Sequence, residues 1–362
     1  MRVVVIGGLG NFGARICTRL ALEPEIEIVA TSRHMSKGGD PASIQTAMLD
    51  INAHDLCSKI QSLTPELVIH CAGPFQGQDY RVALASLACG AHYVDLADGR
   101  GFVTGFIAAV GPAAEAAKRI AITGASTLPA LSSAVVDFLK GSFAELSAIG
   151  VVIAPGQRAR RGTATVTAVL GYAGKPFLWW ERGEWRTVYG WQALKRQRFS
   201  FGSRLSAACD VPDLELFPAR YAGVQSVSFR ASLEVSLQHY GLWMIGACRR
   251  MELPIHMADW GSSLDRLGTW LNWLGSQTGG MMVHVTGRTH EGRRLSRTWE
   301  LVAKCNHGPE IPCMAAVILA TKLARGNRFS AGAKVCMGIL GLSDFEPEFS
   351  RWNISTRVIN DI

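Results

Sequence analysis

The sequence predicts an α/β protein, with a doubly wound parallel sheet at the N-terminus and a second domain of mixed α+β structure. Apolar runs of strand length alternate with helical patterns as far as about residue 140. A glycine-rich turn separates the first strand from the first helix. From about residue 146 the pattern changes to period-two strands and a few long helices. We therefore expect domains at 1–145 and 146–310, and a C-terminal helical segment at 311–362 that can pack back on the first domain.

In the first domain, strands and helices follow one another in order. The expected strands are 3–6, 26–31, 47–51, 67–71, 93–96 and 120–123. Helices are expected directly after the glycine turn and at 54–63, 78–90 and 112–119. In parallel sheets built from such βαβ units, ligands bind at the C-terminal ends of the strands. Candidate site residues are therefore those that follow the strands.

The second domain is predicted to mix hairpins with helices. Strands are expected in LSAIGVVIAP (146–155), TATVTAVLGYAG (163–174), SVSFRASLEVSL (226–237) and, with a hairpin turn near 291–292, in 281–305. Helices are expected in YGLWMIGACRRMELP (240–254), LDRLGTWLNWLGSQ (264–277) and IPCMAAVILATKLARG (311–326).

Composition favours a cytoplasmic protein with reduced thiols. The nine cysteines include no C-x-x-C pair, and their odd number argues against a disulfide framework. No apolar run is long enough to cross a bilayer. The formal net charge of +8 belongs to the middle of the chain, because residues 151 to 300 hold 19 Lys and Arg against 11 Asp and Glu, while the remainder holds 18 of each. This excess is either a solvated basic face or a surface that attracts acidic substrates or an anionic membrane, and no nucleic-acid-binding motif accompanies it.

The N-terminal turn carries the residues expected to bind a dinucleotide. Its glycines fit G-x-G-x-x-G and lie between a buried apolar strand and a helix. Glycine lets the backbone approach a pyrophosphate, and the helix start offers N–H donors and the positive end of its dipole. The cofactor-binding residues expected here are Gly7, Gly8, Gly10, Asn11, Phe12 and Gly13. A tight turn without a ligand is the alternative, which the strand–turn–helix context disfavours.

The end of the second strand predicts NADP rather than NAD. An acidic residue at this place would accept a hydrogen bond from the ribose 2′-hydroxyl of NAD. The chain instead has Ser32 and Arg33, and Glu27 comes too early in the strand. A guanidinium can grip a 2′-phosphate with two hydrogen bonds. A solvated loop arginine is the alternative; His34 and Lys37 would add positive charge.

The fourth strand ends in a turn over which the nicotinamide is expected. The turn reads CAGPF, and the residues assigned to the cofactor are Cys71, Ala72, Gly73 and Pro74. Ala72 and Gly73 carry no bulk that would hold a ring away, and Pro74 stiffens the turn. A purely structural strand end is the alternative.

Three segments of the first domain resemble the saccharopine dehydrogenase family. They are VIGGLGNFGARICTRLA, VIHCAGPFQGQDYRVALASLACGAHYVDLADG and GASTLPALSSAVVDFL, which together span most of residues 1–140. The resemblance implies a Rossmann domain with an inserted α/β domain that often forms a homodimer. It also implies NAD(P)-linked oxidation or reduction at a carbon–nitrogen bond, as in saccharopine, lysine or carboxypolyamine chemistry.

Asp95, Asp98 and Tyr80 are the candidate catalytic residues, because they follow the strands nearest the expected nicotinamide. A carboxylate here could hold a substrate ammonium or accept a proton as hydride leaves. The alternatives are a structural role for Asp95 and a helix cap for Asp98.

Other catalytic classes lack their residues. No tyrosine is followed by Lys four positions on, as short-chain dehydrogenases require, and no His, Cys and Asp cluster has the spacing of a metal site. Cys71 stands at a strand end and is expected to be a buried thiol rather than a nucleophile.

The substrate is predicted to be an amine or imine that bears a carboxylate. The candidate binding residues are Arg158, Arg160 and Arg161, which lie close together between two expected strands. A solvated loop is the alternative. The tryptophan-rich middle of the chain, Trp179 to Trp191, suits either a bulky apolar substrate portion or core packing.

Two function classes remain open: an NADP-dependent oxidoreductase, and an NADP-binding sensor or structural homologue that does not turn over. Residues 240–254, with Trp260, Trp270 and Trp273, suit a dimer interface or pocket wall, which we favour, or a bilayer surface.

Overall fold

A computed structural model describes residues 1–33, 44–159, 171–251 and 271–361. The chain forms two compact units, one of residues 1–131 and 310–340 and the other of residues 132–309 and 341–362. In chain order the strands are β1 (Arg2–Ile6), β2 (Glu27–Ser32), β3 (Ile44–Met48), β4 (Leu67–His70), β5 (His92–Asp95), β6 (Ile120–Thr123), β7 (Glu145–Ala154), β8 (Pro176–Glu181), β9 (Glu184–Tyr189), β10 (Lys195–Phe199), β11 (Gly202–Ala208), β12 (Ser226–Ser232), β13 (Gly279–Arg288), β14 (Arg294–Ala303), β15 (Gly332–Val335) and β16 (Ser355–Asp361). The described helices are α1 (Asn11–Leu20), α2 (Leu56–Ser62), α3 (Arg81–Ala88), α4 (Arg100–Ala116), α5 (Ser132–Lys140), α6 (Asp213–Arg220), α7 (Ser236–Arg250), α8 (Ile311–Ala324) and α9 (Leu342–Arg351).

The first unit is built on a seven-stranded sheet in which every pairing is parallel. Its strand order is β3-β2-β1-β4-β5-β6-β15, and the register runs from Ile44 opposite Ile28 at one edge to Val335 opposite Thr123 at the other. Strands β1, β4 and β6 are apolar and buried along almost their whole length, as strands covered by helices on both faces must be. The α/β fold class and the parallel N-terminal sheet are therefore confirmed.

Two elements of this unit begin earlier than the sequence pattern indicated. Strand β3 spans 44–48 rather than 47–51; it is the edge strand and half exposed, so its apolar residues do not form a continuous run. Helix α4 begins at Arg100, twelve residues before the predicted start, and Pro112 lies inside it. Its buried side chains, Phe102, Val103, Phe106, Val110 and Ala114, recur at helical spacing, but three glycines among them obscured the pattern.

Helix α8 belongs to the first unit and contacts α1. The Cys313 thiol donates to the Phe12 carbonyl at 3.5 Å, and Arg15 of α1 pairs with Glu310 directly before α8. Glu23, which is 9% exposed, accepts from Arg19 and Arg325 at 2.7 and 2.9 Å. The C-terminal chain thus supports the helix that follows the glycine turn.

The second unit is built on a mixed sheet in the order β10-β11-β12-β7-β13-β14-β16, with β8 pairing β12 and β9. Strands β7 and β12 are parallel, and the other pairings are antiparallel. The predicted hairpin is formed by β13 and β14, and Gly292 supplies a φ of +78° in its turn. The mixed second domain is confirmed.

The expected C-terminal block at 311–362 is divided between the units. Residues up to 340 belong to the first unit, whereas β16 pairs with β14 from Ser355 opposite Val302 to Asp361 opposite Ser296, within the second. Backbone pairing of this kind leaves no trace in local periodicity. Most of the expected strand at 163–174 and half of the expected helix at 264–277 lie outside the described residues. In the described half of the latter, Leu271–Leu274 form a 3-10 helix.

Candidate active site at the C-terminal edge of the parallel sheet

The glycine turn after β1 has the close packing that a phosphate-binding turn requires. Gly7 has a φ of +78°, and a Cβ atom on it would lie 3.0 Å from the backbone nitrogen of Ala72. A Cβ atom on Gly13 would lie 2.2 Å from the carbonyl oxygen of Gly7, which is far inside van der Waals contact. Helix α1 therefore starts directly against the strand end, as only glycine permits.

The start of α1 presents no negative charge to a ligand. Its N-cap is Gly10 in an extended conformation without a side-chain cap, and its first turn contains no acidic residue. Helix N-terminal N–H groups and the dipole favour an anion at this point. The turn 7–13 thus fits a dinucleotide pyrophosphate.

The end of β2 lies beside the glycine turn, since Gly8 N–H donates to the Thr31 carbonyl at 2.9 Å. The Thr31 hydroxyl is buried and donates to Val5, which leaves Ser32 and exposed Arg33 at the tip. Glu27 lies at the opposite end of the strand, where Arg2 donates to it at 2.6 Å. No acidic residue is therefore placed at the described end of β2. His34 and Lys37 lie outside the described residues.

The turn 71–74 lies next to the glycine turn and is held by a glutamine. Cys71 N–H donates to the Ile6 carbonyl at 2.8 Å, which ties the turn to β1. The amide of Gln78 donates to the carbonyls of Ala72 and Pro74 at 2.8 and 2.7 Å. Burial raises the pKa of the Cys71 thiol well above its usual range, so it is a neutral thiol rather than a nucleophile.

Asp95 is fully buried at the end of β5 and ties three backbone segments together. Its Oδ1 accepts three hydrogen bonds, from Ala97 N–H at 3.0 Å, the Thr123 hydroxyl at 2.8 Å and Gly124 N–H at 2.8 Å. Burial raises the pKa of Asp95 to about 6, against the lowering effect of these donors.

A buried tyrosine and histidine extend this network under the turn 71–74. The Tyr93 hydroxyl lies 3.1 Å from Nδ1 of His70, and both side chains are buried. The same hydroxyl is near enough to Asp95 to lower its pKa, but Oδ2 of Asp95 has no partner with hydrogen-bond geometry. Burial lowers the pKa of His70 to about 4, so its ring is neutral at pH 7. The three side chains together join the ends of β4, β5 and β6.

Asp98 is the acidic side chain that reaches solvent at this edge. Its Oδ1 accepts from the Gln76 amide at 3.3 Å. The surrounding protein raises its pKa by limiting hydration, and the hydrogen bond from Gln76 offsets part of that effect. Helix α4 is capped by Gly99 and has no side-chain cap, so Asp98 does not have the capping role considered as its alternative.

Tyr80 is packed rather than open to the edge. Its ring contacts Phe102 and Phe106, and its hydroxyl donates to the Phe102 carbonyl at 3.0 Å. Its place as a catalytic candidate stays a prediction, and any such role would require that hydrogen bond to open.

The predicted residues are thus brought together in part. The glycine turn, Ser32, Arg33, the turn 71–74, Asp95 and Asp98 share one edge of the first unit. Arg158 belongs to the second unit, is exposed and donates to the Asn272 carbonyl at 3.1 Å; Arg160 and Arg161 lie outside the described residues. Sequence reasoning missed Thr123 and His70. Their signal was a polar side chain in an otherwise apolar buried strand.

No family model and no curated protein sequence matches the chain. Among solved structures, apo saccharopine dehydrogenase (L-Glu forming) from Saccharomyces cerevisiae matches with a TM-score of 0.69 and 11% identity, over 100% of both chains. The chain has the fold of saccharopine dehydrogenase. Homospermidine synthase from Legionella pneumophila, whose structure is a complex with NAD, matches with a TM-score of 0.66 and 9% identity over 99% of this chain and 91% of that one. The resemblance indicated by the N-terminal motifs is therefore confirmed at the level of the fold.

Proposed function

We propose that the protein is an NADP-dependent oxidoreductase that transfers hydride at a carbon–nitrogen bond. The observation that carries this proposal is the glycine turn, where α1 approaches β1 so closely that Gly13 has no room for a Cβ atom. The shared fold with saccharopine dehydrogenase and homospermidine synthase supports the class of reaction, since both names denote chemistry on amines.

The preference for NADP rests on Ser32 and Arg33. They stand where an acidic residue would select the ribose 2′-hydroxyl of NAD, and an arginine there can bind a 2′-phosphate. The second turn, 71–74, would lie under the nicotinamide.

In the proposed reaction an amine that contains an H–C–N–H unit is oxidised to the imine, C=N. The carbon gives its hydrogen with both electrons to the oxidised cofactor, and the nitrogen releases a proton. Asp98 supports this chemistry as an accessible carboxylate whose raised pKa suits a proton acceptor. Arg158, Arg160 and Arg161 are proposed to bind a carboxylate of the substrate.

Cofactor binding tests the first half of the proposal. Titration of the protein with NADPH and NADH, followed by nucleotide fluorescence, should give tighter binding of NADPH. Gly13→Ala should abolish binding of both, because its methyl group would collide with the Gly7 carbonyl. Gly101→Ala is the matched control: it lies in α4 with open space around it and should bind as the parent does.

Arg33→Asp tests the choice between the two cofactors. It should weaken NADPH binding at least tenfold, the loss typical of one charge-assisted hydrogen bond (about 1.5 to 3 kcal/mol), and leave NADH nearly unchanged. Lys118→Asp reverses an exposed charge two residues before β6, at the opposite edge of the sheet, and serves as control. Unchanged NADPH affinity in Arg33→Asp would contradict the assignment.

Turnover separates an enzyme from a cofactor-binding sensor. NADPH oxidation should be measured against keto acids paired with primary amines, and NADP reduction against secondary amines that carry a carboxylate. Arg160→Ala and Arg161→Ala should each raise the substrate KM tenfold or more without affecting cofactor binding. Tight NADPH binding with no turnover on any pair would favour the sensor, and an active substrate without an acid group would remove the carboxylate-binding role.

A further inference from the structure

Helix α7 of the second unit is apolar on both of its faces. Its inner face buries His239, Leu242 and Gly246, which lie three and four residues apart. Leu237, Tyr240 and Met244 occur at the same spacing on the other side and are 69%, 48% and 59% exposed. A surface helix normally presents polar residues to water.

The inner contacts leave α7 no freedom to turn this outer face inward. A Cβ atom on Gly246 would lie 2.7 Å from the amide nitrogen of Gln192 and 3.1 Å from the backbone of Gly174. The Gln192 amide also donates to the Trp243 carbonyl at 2.8 Å. The backbone of α7 therefore packs directly against these residues at Gly246.

A short turn adds two more exposed apolar side chains beside the start of α7. Trp273 and Leu274 are 67% and 49% exposed. Their turn is anchored by Glu234, two residues before the helix, whose Oε2 accepts from Ser276 N–H at 2.9 Å. Met251, directly after the helix, is 74% exposed. We call Leu237, Tyr240, Met244, Met251, Trp273 and Leu274 the α7 face.

The charged side chains that the structure describes around the α7 face are mainly positive. Helix α7 contains no Asp or Glu and ends in Arg249 and Arg250. Glu234, the nearest acid before it, is engaged by Arg204 at 2.8 Å. Strand β10, which begins three residues after Gln192, carries the exposed side chains of Lys195, Arg196 and Arg198.

We propose that the α7 face docks on an anionic membrane surface. Apolar and aromatic side chains on one face of a helix enter the boundary between headgroups and acyl chains, and flanking Lys and Arg residues attract anionic lipids. A second copy of the chain is disfavoured as occupant, because a twofold contact would bring the cationic side chains described around this face against their own copies. Docking is peripheral, since none of the described helices is long and apolar enough to cross a bilayer.

Vesicle co-sedimentation of the full chain tests the proposal. Vesicles of phosphatidylcholine with about 30 mol% phosphatidylglycerol should bind the protein. Vesicles of pure phosphatidylcholine should bind it at least about tenfold more weakly, because several cationic side chains contribute to binding of the anionic lipid. Met244→Asp should reduce binding to the anionic vesicles about tenfold, since it removes buried apolar area and adds a negative charge. Leu22→Asp, in the first unit, is the control; Leu22 is 63% exposed and close in exposure to Met244.

Met251→Asp gives a second test at the C-cap of α7, beyond the last helical residue. Because an acidic residue at a helix C-terminus weakens the helix slightly, circular dichroism verifies the fold of each variant. The proposal is overturned if anionic vesicles do not bind the parent, or if Met251→Asp binds as the parent does. Sedimentation equilibrium without vesicles tests the competing possibility that a second copy of the chain occupies the α7 face. A parent dimer that Met251→Asp converts to monomer would assign the face to a second copy instead.

Discussion

Among the residues that the structure describes, each unit buries one aspartate, and the two differ in their hydrogen bonds. Asp95, at the sheet edge of the first unit, accepts three hydrogen bonds on one oxygen. Asp213, at the start of α6 in the second unit, is 1% exposed, and neither of its oxygens has a partner with hydrogen-bond geometry. Burial raises the pKa of Asp95 to about 6 and that of Asp213 to about 7. The Ser132 hydroxyl is near Asp213 and lowers its pKa only in part.

The difference shows what the hydrogen bonds at the strand ends achieve. Burial alone disfavours a carboxylate, and donors aimed at it restore part of the lost hydration. In a parallel sheet all C-terminal strand ends meet at one edge, so Asp95 receives donors from its own strand end and the next. The described strands of the second unit run in both directions, so their C-terminal ends are divided between the two edges of the sheet.

Removal of each carboxyl group should give the largest contrast. Asp95→Leu leaves three buried donors without an acceptor and should lower the free energy of unfolding by roughly 3 to 5 kcal/mol at pH 7. Asp213→Leu leaves none and should be neutral or stabilising. Urea denaturation of both variants measures this. Equal destabilisation by the two substitutions would mean that Asp213 has a partner after all.

The pH dependence of stability should separate the two aspartates next. Folding raises the pKa of Asp213 from 3.8 to about 7, so the folded state holds this proton more tightly than the unfolded chain. The contribution of Asp213 to the free energy of unfolding therefore falls as the pH rises from its unfolded pKa to its folded pKa. The expected fall is roughly 2 to 3 kcal/mol between about pH 5 and 7. Asp95 acts in the same direction, but only up to about pH 6. Asp213→Asn should remove the decline between about pH 6 and 7 and leave only the share of Asp95 in the decline below about pH 6. If the difference between parent and variant does not change with pH, the raised pKa of Asp213 is incorrect.

Loss of a single donor should have an intermediate effect. Thr123→Val removes one of the three hydrogen bonds to Asp95 and should destabilise the protein by about 1 to 2 kcal/mol, while raising the pKa of Asp95 further. Thr31→Val is the matched control, since the Thr31 hydroxyl is equally buried but makes only a 3.4 Å contact to a neutral carbonyl. The control should lose less stability, as thermal unfolding at pH 7 would show. If Thr31→Val lost as much stability as Thr123→Val, the charge of the Asp95 acceptor would not explain the effect of Thr123→Val.

The smallest expected effect is that of Tyr93→Phe, which removes the contact with His70. It should cost about 1 kcal/mol, because the contact with His70 is lost together with the weaker effect of this hydroxyl on the pKa of Asp95. Tyr80→Phe also loses one hydrogen bond, at the partly exposed Phe102 carbonyl, where water can replace it, and should cost less. If Tyr80→Phe kept its stability but lost turnover, the catalytic role predicted for Tyr80 would gain support.

The parallel sheet could be predicted because its information is local. Continuous apolar runs mark strands buried on both faces, and the glycine spacing marks the first turn. Elements without such a local signal were misplaced or missed. Strand β3 is half exposed at an edge, α4 contains three glycines and a proline, and the β8–β9 hairpin looked like a tryptophan-rich segment.

The same distinction between local and long-range information applies to the candidate site. Order along the chain was enough to predict that Gly7 to Gly13, Ser32, Arg33, the turn 71–74, Asp95 and Asp98 follow strands that share an edge, because parallel strands point the same way. Whether a side chain at that edge faces solvent or the interior depends on neighbours distant in sequence. Gln76 donates a hydrogen bond to the exposed side chain of Asp98, whereas Thr123 and Gly124 donate to Asp95 in the interior.

The sequence by itself determined the fold class, the glycine turn and the strand ends where a cofactor would bind, since each depends on residues within one or two elements. Only the tertiary structure decided that α8 supports α1, that β16 completes the second sheet, and that Asp95 is buried with three hydrogen-bond donors whereas Asp213 is buried with only the Ser132 hydroxyl nearby. These outcomes depend on contacts across tens to hundreds of residues, and hydration and pKa respond to those contacts rather than to the identity of the residue.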